Sequence, residues 1–179
     1  MPIILILVII IAAVLILGYT KAPPNKAAVI TGLGKRPRVL LGKAGFKIPF
    51  FERVDWIGVG QIDIDILTED YIPTKDFINI KVDAIAQVAV DVSPDGMEIA
   101  MRNFLNKKSE QVKETISKSL QGNLREIIGT MELKDICQNK TEFSEQVKAN
   151  AEGDIAQLGI RILSFNVQNI QDKEGLIDD

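Results

Sequence analysis

The sequence predicts an α+β protein: an N-terminal transmembrane helix, then a domain with a β-rich first half and a helix-rich second half. Three observations carry this. Residues 1–20 hold no charged side chain, apolar positions recur with period two as far as Val92, and from Ser93 the period lengthens to helical spacing. Strands followed by a block of helices and a closing strand belong to α+β architectures, not to alternating βαβ units. The composition shifts divide the chain into residues 1–20 (anchor), 21–92 (β-rich, near the membrane), 93–171 (α/β) and 172–179 (start of a linker).

Ile3 to Leu17 is an unbroken apolar run of 15 residues, thirteen of them Ile, Leu or Val. A helix over residues 1–20 would rise ~30 Å, about the thickness of the hydrocarbon core. At ~0.3–0.6 kcal/mol per central Leu, Ile or Val, the thirteen favour insertion by roughly 4–8 kcal/mol. Ile3, Ile6, Ile9, Ile10, Val14 and Leu17 are the candidate anchor residues. A cleaved signal peptide would carry basic residues before the run and a small-x-small site after it, and neither is present. A soluble helix would show a polar stripe, also absent.

Charge orients the anchor. Lys21, Lys26, Lys35, Arg36 and Arg38 all follow the run and nothing basic precedes it. The positive-inside tendency then puts the remaining chain in the cytoplasm, as a single-pass protein of the cell membrane. The same five residues can lie against anionic lipid headgroups, at about 1 kcal/mol each. As strand-edge cations they could equally be solvated guards against aggregation. Residues 21–60 hold 8 basic and 2 acidic side chains, residues 61–179 hold 13 and 22, so the basic surplus is confined to the part after the anchor. On a cytoplasmic body the glycosylation sequon Asn139-Lys140-Thr141 is accidental.

After Pro23-Pro24-Asn25, which closes the helix, Ala27 to Thr31 and Arg38 to Leu41 read as strands. Gly42 to Gly45 reads as a turn and Phe46 to Phe51 as an apolar strand around Pro49. Val54 to Leu67 alternates with a change of phase near Gly58 and Gly60, the mark of a bulge or a crossing strand. Ile78 to Val92 is one long half-buried strand. Ser93-Pro94-Asp95 offers an N-cap and a first-turn proline for a helix through Leu105. A second helix starts near Ser109, its apolar stripe running from Val112 to Ile128. A third starts at Thr141, carries Phe143, Val147, Ala151 and Ile155 inward, and stops at Gly159. Ile160 to Ile170 is the last strand.

Catalytic chemistry is poorly provided for. Lys and Arg total 21 against 24 Asp and Glu, a net charge of −3, which lacks the basic surplus that nucleic-acid phosphates require. The absence of histidine removes Ser-His and Cys-His pairs, His-ligated zinc and His general bases. A single cysteine, Cys137, precludes an internal disulfide and a Cys-rich metal site, and reads as a small core residue. Gly32-Leu33-Gly34 meets Pro37 where a dinucleotide fingerprint needs its third glycine. Asp63, Asp65, Glu69 and Asp70 lack the offsets of a calcium loop and suit the wet side of a strand. No catalytic, metal or cofactor residue is expected, and the protein reads as a non-enzyme.

Residues 23–32, Pro23-Pro24-Asn25-Lys26-Ala27-Ala28-Val29-Ile30-Thr31-Gly32, follow the apolar segment directly and resemble the start of the flotillins. These belong to the stomatin, prohibitin and flotillin (SPFH, or band 7) superfamily. Gly45-Phe46-Lys47-Ile48-Pro49-Phe50-Phe51-Glu52-Arg53-Val54-Asp55, Ile78-Asn79-Ile80-Lys81-Val82-Asp83-Ala84 and the stretch from Gly159 to Ile170 match in order. The resemblance implies an SPFH domain in a membrane-attached scaffold that forms homo- or hetero-oligomers with related SPFH proteins. Such a scaffold would hold membrane-protein clients and organise microdomains. A prohibitin-like subunit caging a membrane protease is the alternative. The anchor is closest to bacterial members, and the proline hairpin of stomatins is absent. The family's long Glu/Ala-rich coiled coil has no counterpart up to Asp179.

Overall fold

The computed structural model describes residues 2–34, 37–173 and 175. The expected α+β architecture, β-rich first and helix-rich later, is what the chain adopts. It forms two compact units, residues 1–60 with 104–107 and residues 61–103 with 108–179.

The first unit opens with α1 (Pro2–Gly18), 17 residues long. β1 (Tyr19–Lys21) follows without a linker. β2 (Lys26–Thr31) lies at the centre of an antiparallel sheet, with β3 (Arg38–Leu41) on one side and β5 (Arg53–Gly58) on the other. β4 (Ala44–Phe46) pairs instead with β1. Ala27, Ala28, Val29, Ile30 and Ile57 are buried. Asp55, buried among them, accepts from Arg53 at 2.7 Å and from the Asn106 amide at 2.9 Å. Both of its partners hold their hydrogen atoms toward the carboxylate, which is what a buried charge requires.

Two expectations need correction here. The span over residues 1–20 ends early, at Gly18, and its 17 residues rise only ~25 Å, less than the ~30 Å of a hydrocarbon core. Among the described residues no helix is long and apolar enough to cross a membrane, so a single-pass transmembrane topology is not supported. The cause is a competing ladder. Tyr19, Thr20 and Lys21 pair with Phe46, Gly45 and Ala44, and the Lys47 amide donates to the Gly18 carbonyl at 2.8 Å. Gly18 has no side chain because a Cβ there would strike the Phe46 ring and the Lys47 carbonyl. The second correction concerns Phe46 to Phe51. Only Phe46 is in a strand, and the rest is a turn in which the Phe51 and Glu52 amides both reach the Ile48 carbonyl, at 3.3 and 3.0 Å. Pro49 lacks the amide that a paired strand needs.

In the second unit β6 (Ile62–Leu67) and β7 (Ile72–Pro73) pair with one edge of β8 (Asn79–Val90). The phase change at Gly58–Gly60 is thus a complete break, since β5 and β6 join different sheets. After β8 come α2 (Pro94–Phe104), α3 (Ser109–Thr130), a short α4 (Leu133–Gln138) that the sequence pattern does not announce, and α5 (Lys140–Ala156). β9 (Ile160–Asp172) returns along the other edge of β8. Its inward positions, Ile160, Ile162, Phe165 and Ile170, are not evenly spaced because the register shifts twice, once on each side of Phe165. α3 lies on β6 and β7, α5 lies on β9, and the two helices pack together. Ile116, Leu120, Leu124, Ile128, Phe143, Val147, Ala151 and Ile155 are all fully buried. Ser93 caps α2 as expected, its hydroxyl accepting from the Gly96 amide at 3.1 Å. Asp63 and Asp65 face solvent.

Two turn carboxylates are expected to lower the stability of this unit in acid. The Thr74 hydroxyl, chiefly, and the Leu133 amide hold Asp76 below its ordinary value of 3.8; the Ser93 amide and hydroxyl do the same for Asp91. A depressed carboxylate contributes stability that is complete above the unfolded value and is lost as pH falls through the folded one. Thermal melts should therefore show a falling midpoint below about pH 4, and Asp76→Asn with Asp91→Asn should flatten that fall while lowering the neutral-pH midpoint. An unchanged acid limb in the double variant would contradict the assignment.

Candidate membrane-contact surface

Every described side chain of α1 from Ile3 to Leu17 is exposed, including the six candidate anchor residues Ile3, Ile6, Ile9, Ile10, Val14 and Leu17. A run of apolar side chains this long makes no core of its own, and in water it would be a large uncompensated hydrophobic surface. Helical geometry distributes these residues around the whole circumference, so no single face is polar.

The five candidate headgroup-facing cations do not behave alike. Lys21 on β1 and Lys26 at the start of β2 are exposed. Arg38 is committed internally, its guanidinium donating to both oxygens of the Glu52 carboxylate at 2.7 and 2.6 Å. Lys35 and Arg36 lie outside the described residues. Exposed Lys43, just before β4, and half-buried Lys47, just after it, were not singled out from the sequence yet lie on either side of the strand paired with β1.

Beside the end of α1 sits the turn from Ile48 to Phe51. Phe50 is 97% exposed and Phe51 69% exposed, and Phe50 adopts a left-handed backbone with φ of 71°. Sequence reasoning missed these two aromatics by placing them in a strand. The available signal was a succession of apolar residues without alternation around a proline, which a paired strand with one wet face does not produce.

Among the described residues no group of three or more Cys, Asp or Glu is placed to hold a metal ion. Cys137 is half-buried and burial pushes its thiol above the ordinary value, the opposite of an activated nucleophile.

Comparison with known proteins accords with this arrangement. The chain is 28% identical over 196 residues to the flotillin-like protein FloT of Bacillus subtilis (strain 168), covering 99% of this chain and 38% of that protein. It is 28% identical over 162 residues to flotillin-1 of Drosophila melanogaster, covering 89% of this chain and 38% of the relative. With flotillin-2 of Carassius auratus it shares 34% identity over 118 residues, 63% of this chain and 27% of the relative. The chain thus spans well under half the length of these curated relatives. The resemblance read from residues 23–32, 45–55, 78–84 and 159–170 is borne out, and residues 20–179, from β1 onward, match the SPFH domain / Band 7 family, to which the chain therefore belongs.

Proposed function

We propose that this chain is the membrane-attached part of a scaffold, with α1 embedded in the bilayer and the basic first unit held against anionic lipids. The body lies on the cytoplasmic side of the cell membrane, where the exposed Lys21 and Lys26 that follow α1 meet the anionic leaflet. It assembles with copies of itself or with related SPFH proteins and gathers membrane-protein clients and lipids laterally, without turning over a substrate. The observation that carries this reading is the uncharged α1, exposed from Ile3 to Leu17 and running without a linker into β1. Kinship with flotillins supports the scaffold class.

The full chain mixed with vesicles of phosphatidylcholine and phosphatidylglycerol is expected to float with the lipid and to remain bound after a carbonate wash. Detergent extracts should show higher oligomers by chemical crosslinking and electron microscopy. Recovery in the aqueous fraction would defeat the attachment; a strictly monomeric extract would defeat the scaffold.

A further inference from the structure

We infer that the turn from Ile48 to Phe51 is a second lipid contact, an aromatic wedge in which Phe50 and Phe51 enter the boundary between headgroups and acyl chains beside α1. This rests on the reading of α1 as membrane-embedded and adds a site to it. Aromatic rings are suited to that boundary, where an apolar body meets a polar layer.

The turn is built to project these rings. A positive φ is strongly disfavoured for a bulky aromatic and persists only where the surroundings over-determine it. Here they do: the Glu52 carboxylate accepts from the Ile48 amide at 2.8 Å and from Arg38, while the Ile48 carbonyl accepts from the Phe51 and Glu52 amides. The Glu52 side chain is only 6% exposed, so the brace is inside and the rings are outside. A strained turn that buried its aromatics would be unremarkable, but this one exposes them.

Position and charge specify a bilayer as the occupant. Phe46 pairs with Tyr19, the first residue after α1, and the next amide, that of Lys47, donates to the last carbonyl of α1. The wedge therefore begins one residue beyond the point where α1 leaves the lipid. Lys47 adjoins that junction, Lys21 and Lys43 lie at the far end of the same β1–β4 ladder, and the acid that follows the turn, Glu52, is neutralised by Arg38. An apolar tip beside a ladder that carries these cations complements an anionic leaflet.

The test uses the full chain carrying Phe50→Trp or Phe51→Trp in a Trp56→Phe background, so that the introduced indole is the only one. The probe is a vesicle of phosphatidylcholine and phosphatidylglycerol whose acyl chains bear bromine close to the headgroup. On vesicle binding the indole emission should shift to the blue, lose intensity to the bromines and lose access to aqueous iodide. If the protein floats with vesicles while the indole stays iodide-accessible and unquenched, the wedge is overturned and attachment by α1 stands. If the protein does not float, the attachment reading fails and the wedge falls with it. A blue shift that follows protein concentration and ignores lipid would show that a second copy covers the turn, which also overturns the proposal. Both positions are exposed, and circular dichroism should confirm that each variant keeps the parent fold.

Discussion

Ile6→Asp, Ile9→Asp and Leu15→Asp together should move the protein from the membrane fraction to the soluble fraction. Thirteen Ile, Leu and Val residues favour insertion of α1 by roughly 4–8 kcal/mol in total. Replacing three removes about 1–2 kcal/mol and adds roughly 8–10 kcal/mol for three buried carboxylates, so the sign of the transfer reverses. The remainder of the chain should keep its fold, because the side chains from Ile3 to Leu17 are exposed and contribute nothing to either core. Flotation and far-ultraviolet circular dichroism on the same sample would separate loss of attachment from loss of structure. Retention of the triple variant in the carbonate-washed membrane would sink α1 as the anchor.

Gly159→Val should be the most damaging single substitution in the second unit. Gly159 has φ of 75°, a conformation that costs a β-branched residue about 1–3 kcal/mol. A Cβ there would also collide with the backbone of α2, at the Ala100 nitrogen and the Gly96 carbonyl. Neither atom belongs to a side chain that can rotate away, and the Asp91 amide donates to the Gly159 carbonyl at 2.9 Å, which ties the segment down. The combined penalty, roughly 4 kcal/mol or more, is a large share of the 5–15 kcal/mol that holds a domain together. Thermal melting should fall by about 8 °C or more, or folding should fail. Gly159→Asn separates the two causes: asparagine tolerates the backbone conformation but not the collision, so it should remain clearly destabilised. Near-parent stability of the asparagine variant would mean that α2 yields at this point.

The periodicities were readable because each is local. Alternation in β8 and the 3.6-residue stripes of α3 and α5 depend on which side of one element faces the core, and the burial of Val82, Ala84 and Ala86 or of Leu120 and Leu124 follows that pattern. Ser93 as a cap and Gly159 as a helix stop were legible for the same reason. The errors fall where a distant partner decides. Tyr19 and Thr20 look like the tail of an apolar helix until Gly45 and Phe46, some 25 positions on, offer a ladder. Arg38 looks free for a phosphate headgroup until the fold brings Glu52 to it. Phe50 and Phe51 look like strand residues until Glu52 and Ile48 close a turn beneath them. α4 is too short to show a period at all.

By itself the amino-acid order determined that a charge-free segment of 15 apolar residues precedes an α+β body. It also established kinship with the flotillins. Tertiary structure decided where that segment stops, which cations remain available and which aromatics reach the solvent. Transfer free energies and periodicity accumulate within a few neighbouring residues, whereas β pairing and ion pairing are settled by whatever the chain later places alongside.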